Sequence, residues 1–212
     1  MGQSTGLRGT SSRILAAAAL LLSCRVAAAC PNLIDCRGSG NEVGLWYIAH
    51  SPEFPAALIG ATAVGALWDG SDTRMGRTLW QTLDASALSG IATLALKKTF
   101  QRDRPSQSDS PDHWFSGAGH QSFPSGDVSA VAAVVTPMIA EYHDDHPAVW
   151  ALAALPVFDM AARIQVRAHW PTDVLAGAAV GVGSGLLVRR LKTPFFVMIL
   201  PQGVTAGFRA EF

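Results

Sequence analysis

The sequence predicts an all-α protein, an up-and-down helical bundle whose reactive residues gather at one end. Five apolar, Ala-rich segments (54–68, 83–96, 128–140, 148–162 and 174–188) are separated by polar or Pro/Gly-containing stretches. Ala and Leu dominate these segments and β-branched runs are short, which favours helix over strand. The polar residues that stand out fall at segment boundaries, and in an up-and-down bundle alternate boundaries share one end.

The chain has 212 residues, 49% of them apolar and only 15% charged, an apolar balance for one sizeable domain. Lys+Arg and Asp+Glu are equal at 16 each, so no global charge points to nucleic acid, and attraction for an anion must be local. Arg8 and Arg13 precede the apolar run 14–22, and Ala27-Ala28-Ala29 stands before Cys30. That pattern predicts a signal peptide over 1–29. An uncleaved anchor helix, or a lipoprotein-like site at Leu21-Leu22-Ser23-Cys24, is the alternative. Export leaves Cys30 and Cys36 in an oxidising compartment, close enough for a small disulfide loop. Residues 30–43 read as a linker or ordered loop, 44–192 as the helical domain and 193–212 as a tail. In the tail, an apolar run over 195–200, a Pro201-Gln202-Gly203 turn and alternating residues 204–208 predict a hairpin or extended arm.

The segments are each about fifteen residues, short of the ~20 that comfortably span a bilayer. Being apolar nearly all round, they suit a deep core or a membrane. Arg189, Arg190 and Lys192 fit a positive-inside pattern, while the 141–147 loop is acidic and does not.

Residues 162–173 carry the densest chemistry. Trp170 precedes Pro171, so a helix begins near Pro171 and runs on past Asp173. His169 then sits at the mouth of that helix, where backbone N–H groups favour negative charge. Asp173 in the first turn is placed to hold one imidazole nitrogen. Upstream, Lys97, Lys98, Arg102 and Arg104 follow an apolar helix and precede Pro105. Cations also complement any helix C-terminus, so this run alone says little. Ser122-Phe123-Pro124-Ser125-Gly126-Asp127 opens the next apolar segment, with a hydroxyl and a bare glycine N–H at a helix start. Together these sets form a pocket for a tetrahedral oxyanion with a histidine beside it, the requirement of phosphoryl transfer.

Lys97 and Arg104-Pro105, then Pro124-Ser125-Gly126, then Arg163, His169 and Asp173 resemble the three-part signature of the type 2 phosphatidic acid phosphatase / vanadium haloperoxidase superfamily. The resemblance spans about residues 83–188. It implies a helical bundle and a phosphatase that needs no metal or other cofactor. It further implies that Lys97, Arg104 and Arg163 grip the phosphate oxygens with Ser125 and the Gly126 N–H. His169 would be the nucleophile that becomes phosphohistidine, with Asp173 orienting its ring. In that pattern a His follows the glycine and protonates the leaving group. Here Asp127 stands there, and His120, seven residues upstream, is the alternative donor. Ala162 replaces the usual Ser before the Arg.

Asp159 lies four residues before Arg163 in an apolar helix, and a buried Asp needs a partner, so the pair predicts an ion bridge behind the site. His143 and His146 lie at the far end and read as a solvated turn rather than a metal site. His113, Trp114 and Phe115 form either a lid, a substrate wall or loop filling. The expected function is hydrolysis of a phosphomonoester or diphosphate, of a lipid or isoprenoid, at the outer side of the cytoplasmic membrane. A soluble periplasmic acid phosphatase and a non-catalytic phosphate- or lipid-binding protein are the alternatives, with the peroxidase ranked below them.

Overall fold

The computed structural model describes residues 34–40, 44–191, 195–200 and 203–208. The signal or anchor segment, Cys30 and the end of the tail lie outside the described residues. Among the described residues there are six α-helices: α1 (Leu45–His50), α2 (Glu53–Asp69), α3 (Arg74–Phe100), α4 (Gly126–Tyr142), α5 (Ala154–Gln165) and α6 (Pro171–Leu191). A two-stranded antiparallel hairpin follows, β1 (Phe195–Leu200) with β2 (Gly203–Phe208), pairing Phe195 with Phe208 and Leu200 with Gly203. The protein is all-α with this hairpin appended.

Local chemistry sets the helix bounds. Thr73 caps α3, its side chain accepting from the Gly76 N–H at 2.9 Å. That cap starts α3 two turns before the apolar run, making it 27 residues long. Gln101 ends it in the left-handed region at φ 42°. One expected helix is broken. Residues Pro147–Ala153 form 3-10 turns and only then does α5 begin. The α5 helix begins at Ala154, which puts Pro156 in its first turn, where the missing N–H costs no intrahelical hydrogen bond. Pro171 opens α6 as the sequence predicts. The Trp170 N–H donates to Asp173 Oδ2 at 2.8 Å, half of a capping box.

The core lies between α3, α4 and α6. Val128, Val131, Ala132 and Ala133 of α4 are buried. Ser129 of the same helix is hydrogen-bonded to Ser89, and accepts from Thr93 at 3.2 Å. Glycines on α6 let it approach α4 closely. A Cβ at Gly177 would stand 2.4 Å from the Ser125 carbonyl oxygen, and one at Gly181 2.3 Å from that of Ser129. Gly177→Leu or Gly181→Leu should therefore force the helices apart. The expected outcome is loss of folded yield or a thermal midpoint lowered by more than 10 °C, a change on the scale of a severe packing error.

Residues 34–40 strap across the α5–α6 corner. The Gly40 N–H donates to Gln165 O at 2.9 Å and Arg167 Nε to Gly38 O at 2.9 Å. Cys36 is disulfide-bonded. At the far end Arg74 pairs with Glu141 (2.6 Å) and Asp145 (2.5 Å), and Arg189 with Glu141 (2.8 Å). The acidic turn that holds His143 and His146 is tied down by these arginines. No group of metal-binding side chains is present among the described residues.

Candidate active site

The site lies where the C-terminal ends of α3 and α5 meet the N-terminal ends of α4 and α6. His169 is 1% exposed, in the corner before α6. Its Nδ1 lies 3.8 Å from Asp173 Oδ2, close enough for electrostatic attraction but beyond a hydrogen bond. Burial pushes its pKa down to about 4, against the opposing pull of Asp173, so the imidazole is neutral at ordinary pH. A neutral imidazole has a lone pair to donate.

Asp173 is itself held from three sides. Its Oδ1 accepts from Arg102 Nη1 at 2.6 Å, and its Oδ2 accepts from Ser122 Oγ at 2.5 Å as well as from the Trp170 N–H. Arg102 is 2% exposed and donates further to Asp35 Oδ2 (2.6 Å), Thr172 Oγ1 (2.7 Å) and Pro111 O (2.9 Å). The ring of Trp114 covers its guanidinium at 4.4 Å. Asp35 Oδ1 accepts from the Thr172 N–H at 2.9 Å at the start of α6. A buried Asp35–Arg102–Asp173 chain thus fixes the carboxylate beside His169. Sequence reading placed Asp173 here but assigned no role to Arg102, Asp35 or Ser122.

The second half of the site is the start of α4. Ser125 is fully buried, and its N–H donates to Asp173 O at 2.9 Å. Its Oγ has no partner within the protein. A Cβ on Gly126 would meet Lys97 Cε at 3.6 Å, so Lys97 lies directly against the helix start. Lys97 Nζ donates to Gln121 O at 2.5 Å. Desolvation and the neighbouring charge of Arg104 bring its pKa down to about 8. Arg104 is half-buried and interacts electrostatically with Asp127, Arg163 and Asp173. Arg163 donates through Nε to Asp159 Oδ1 at 3.1 Å, and its Nη1 lies 3.0 Å from Asp127 Oδ2. Its Nη2 is buried without a partner in the protein. Buried polar groups are normally paired, so unpaired Ser125 Oγ and Arg163 Nη2 beside a helix N-terminus define an oxyanion cradle.

The two histidine-loop residues part company. His120 Nδ1 lies 2.6 Å from Asp103 Oδ1, with His113 Nδ1 3.5 Å from the other oxygen. Asp103 is anchored by its carbonyl, which accepts from Trp170 Nε1 at 2.9 Å. Trp114 stacks on Arg102 and packs with Phe100 and Phe123, so it builds the site's support, while Phe115 is exposed.

Lys97 gives the cradle a pH dependence. Its ammonium is lost as pH rises through about 8, so binding of sulfate, whose own charge is constant across this range, should weaken above that pH. Titration calorimetry should show the alkaline loss in the native protein and a flat profile in Lys97→Met.

A helical bundle with a buried imidazole at the end where Ser125 Oγ and Arg163 Nη2 stand unpaired has the donors to hold an anion. The model of the PAP2 superfamily matches residues 78–196, and the chain belongs to that superfamily. Among solved structures the chain is similar to the crystal structure of Aquifex aeolicus LpxE, at 21% identity and a TM-score of 0.45, over 69% of this chain and 93% of that one. No match is found among curated proteins.

Proposed function

We propose that this protein is a metal-independent phosphatase that hydrolyses a lipid-borne phosphate through a phosphohistidine on His169. The observation that carries the reading is the pairing of a buried neutral imidazole with orphaned donors on Ser125 and Arg163. Lys97, Arg104, Arg163, Ser125 and the Gly126 N–H hold the phosphate oxygens. With Nδ1 turned to Asp173, Nε2 of His169 attacks phosphorus, the P–O bond to the leaving group breaks, and the leaving oxygen takes a proton. Water then attacks phosphorus, the P–N bond breaks, and phosphate leaves with the imidazole restored. Asp173, clamped by Arg102, stabilises the positive ring that forms in the first step. Asp127 is engaged with Arg163, whereas His120 has a carboxylate partner of its own in Asp103. His120 is therefore the proton donor of this reading.

A lipid substrate is supported by the apolar outer surface. Val64, Leu67 and Trp68 of α2, Ile91 and Leu94 of α3, and Leu175 and Leu186 of α6 are exposed, apolar side chains that hydrocarbon would cover. Pro147–Gln165 and Pro171–Leu191 are long and apolar enough to cross a membrane. In this reading the His169 corner lies at one membrane face, the outer one when the N-terminal segment acts as the export signal its sequence predicts. An apolar cleft of about 490 Å³ lies between α4, α5 and α6, lined by Val135, Ile139, Val157, Met160 and Val182. Met160 is one turn from Arg163, so the cleft begins just below the cradle and fits a hydrocarbon chain.

The test is hydrolysis by the purified, detergent-solubilised protein of a long-chain alkyl phosphate, an isoprenoid diphosphate and p-nitrophenyl phosphate, each with excess chelator. Release of phosphate from the long-chain alkyl phosphate, undiminished by chelator, is the expected result. Turnover of p-nitrophenyl phosphate alone would favour a soluble-type acid phosphatase. No turnover of any of them would overturn the enzymatic reading.

A further inference from the structure

We propose that Asp127 competes with the substrate's phosphate for Arg163 and thereby selects a phosphomonoester over a diphosphate. The inference rests on the cradle being a phosphate site, as proposed above, and adds which phosphate it takes. The observation is the position of a carboxylate where an anion is to be gripped. Asp127 sits in the first turn of α4, next to Gly126, with Oδ2 3.0 Å from Arg163 Nη1. Arg163 already gives its Nε to Asp159, which is fully buried and cannot move aside. Asp127, with a third of its side chain exposed, can swing to water. Of the two carboxylates on this guanidinium, Asp127 is the displaceable one.

The charges around Asp127 show why this matters. Lys97 on α3, Arg104 on the following loop and Arg163 on α5 face it, together with Asp159 on α5. Arg102 is committed to Asp35 and Asp173. The cations Lys97, Arg102, Arg104 and Arg163 thus share the bundle end with the carboxylates Asp35, Asp127, Asp159 and Asp173, and with Asp103 beside His120. Three sets of motif residues promise a strongly cationic bowl, yet carboxylates offset much of that charge. A phosphate must displace Asp127 from Arg163 and then share the cradle with its charge. The repulsion grows with the charge of the ligand, so a diphosphate is disfavoured more than a monophosphate.

Asp127→Asn isolates this effect, because the amide oxygen can still accept from Arg163 while the charge is gone. Binding of orthophosphate and pyrophosphate is measured by titration calorimetry on the detergent-solubilised full chain, with Asp127→Ser as a second variant. Both substitutions should tighten orthophosphate on the order of tenfold and pyrophosphate by a larger factor, so that discrimination between the two shrinks. Unchanged or weaker orthophosphate binding in both variants would overturn the competition and make Asp127 a phosphate ligand instead. An equal gain for both anions would overturn the selection. Absence of binding by native protein and variants alike would overturn this proposal together with the phosphate-site reading. Binding that follows the expected pattern in a protein without turnover would sink only the enzymatic reading.

Discussion

His169→Ala is expected to lower kcat on the order of 10⁴-fold or more, with phosphate or vanadate binding changed only a few-fold. The two readouts separate because the cradle is built elsewhere. Lys97 lies on α3, Ser125 and Gly126 at the start of α4, and Arg163 on α5, none of which needs the imidazole to hold its place. The ring contributes chemistry that only a nitrogen lone pair supplies. His169→Gln tests this further, since it fills the pocket with a hydrogen-bonding group that cannot form the phosphoryl intermediate. Both variants should fold, because the imidazole Nδ1 makes no hydrogen bond within the protein. Rates from initial phosphate release and affinities from calorimetry give the comparison directly.

Arg102→Met should lower stability sharply. It removes the cation shared by Asp35 and Asp173, so two buried carboxylates lose that counter-charge. Breaking a buried pair from one side costs about 3–5 kcal/mol. Here a single guanidinium also closes the contacts to Thr172 and Pro111, so the effect belongs at the upper end. The measurement is the thermal unfolding midpoint together with kcat. Arg102→Lys should recover only part of each, since an ammonium cannot fork between Asp35 and Asp173 while lying flat against Trp114. Combining Arg102→Met with Asp35→Asn should be less destabilising than Arg102→Met alone, because one of the stranded charges is gone.

Helix identity was legible because composition and periodicity are local. The α2, α4 and α6 segments and the opening of α6 at Pro171 follow from apolar runs and from Pro chemistry within a few residues. The broken segment before α5 was not legible, since a proline alone does not decide it (Pro137 lies inside α4) and nothing local announces 3-10 turns. Within the site, the Asp159–Arg163 contact is an i,i+4 relation on one helix and can be read from spacing. The role of Arg102 cannot. Past the left-handed Gln101 the chain leaves helical periodicity, so nothing local says that Arg102 turns inward while Lys98 stays exposed. Asp35 is farther out of reach still. It lies in a polar stretch that reads as a linker, and its partners Arg102 and Thr172 come from two distant helix ends. The pairing of Asp127 with Arg163 is likewise a tertiary fact. The motifs name the charged residues, and only packing decides which of them neutralise one another.

In the proposed reaction His169 is the nucleophile that carries the phosphoryl group. The decisive measurement is mass spectrometry of protein quenched under alkaline conditions during turnover of a long-chain alkyl phosphate. Phosphate covalently attached to His169, and absent from His169→Gln, is the result predicted. Turnover in the native protein with no phosphorylated histidine, or with the phosphate carried by Ser125 or Asp127, would contradict it.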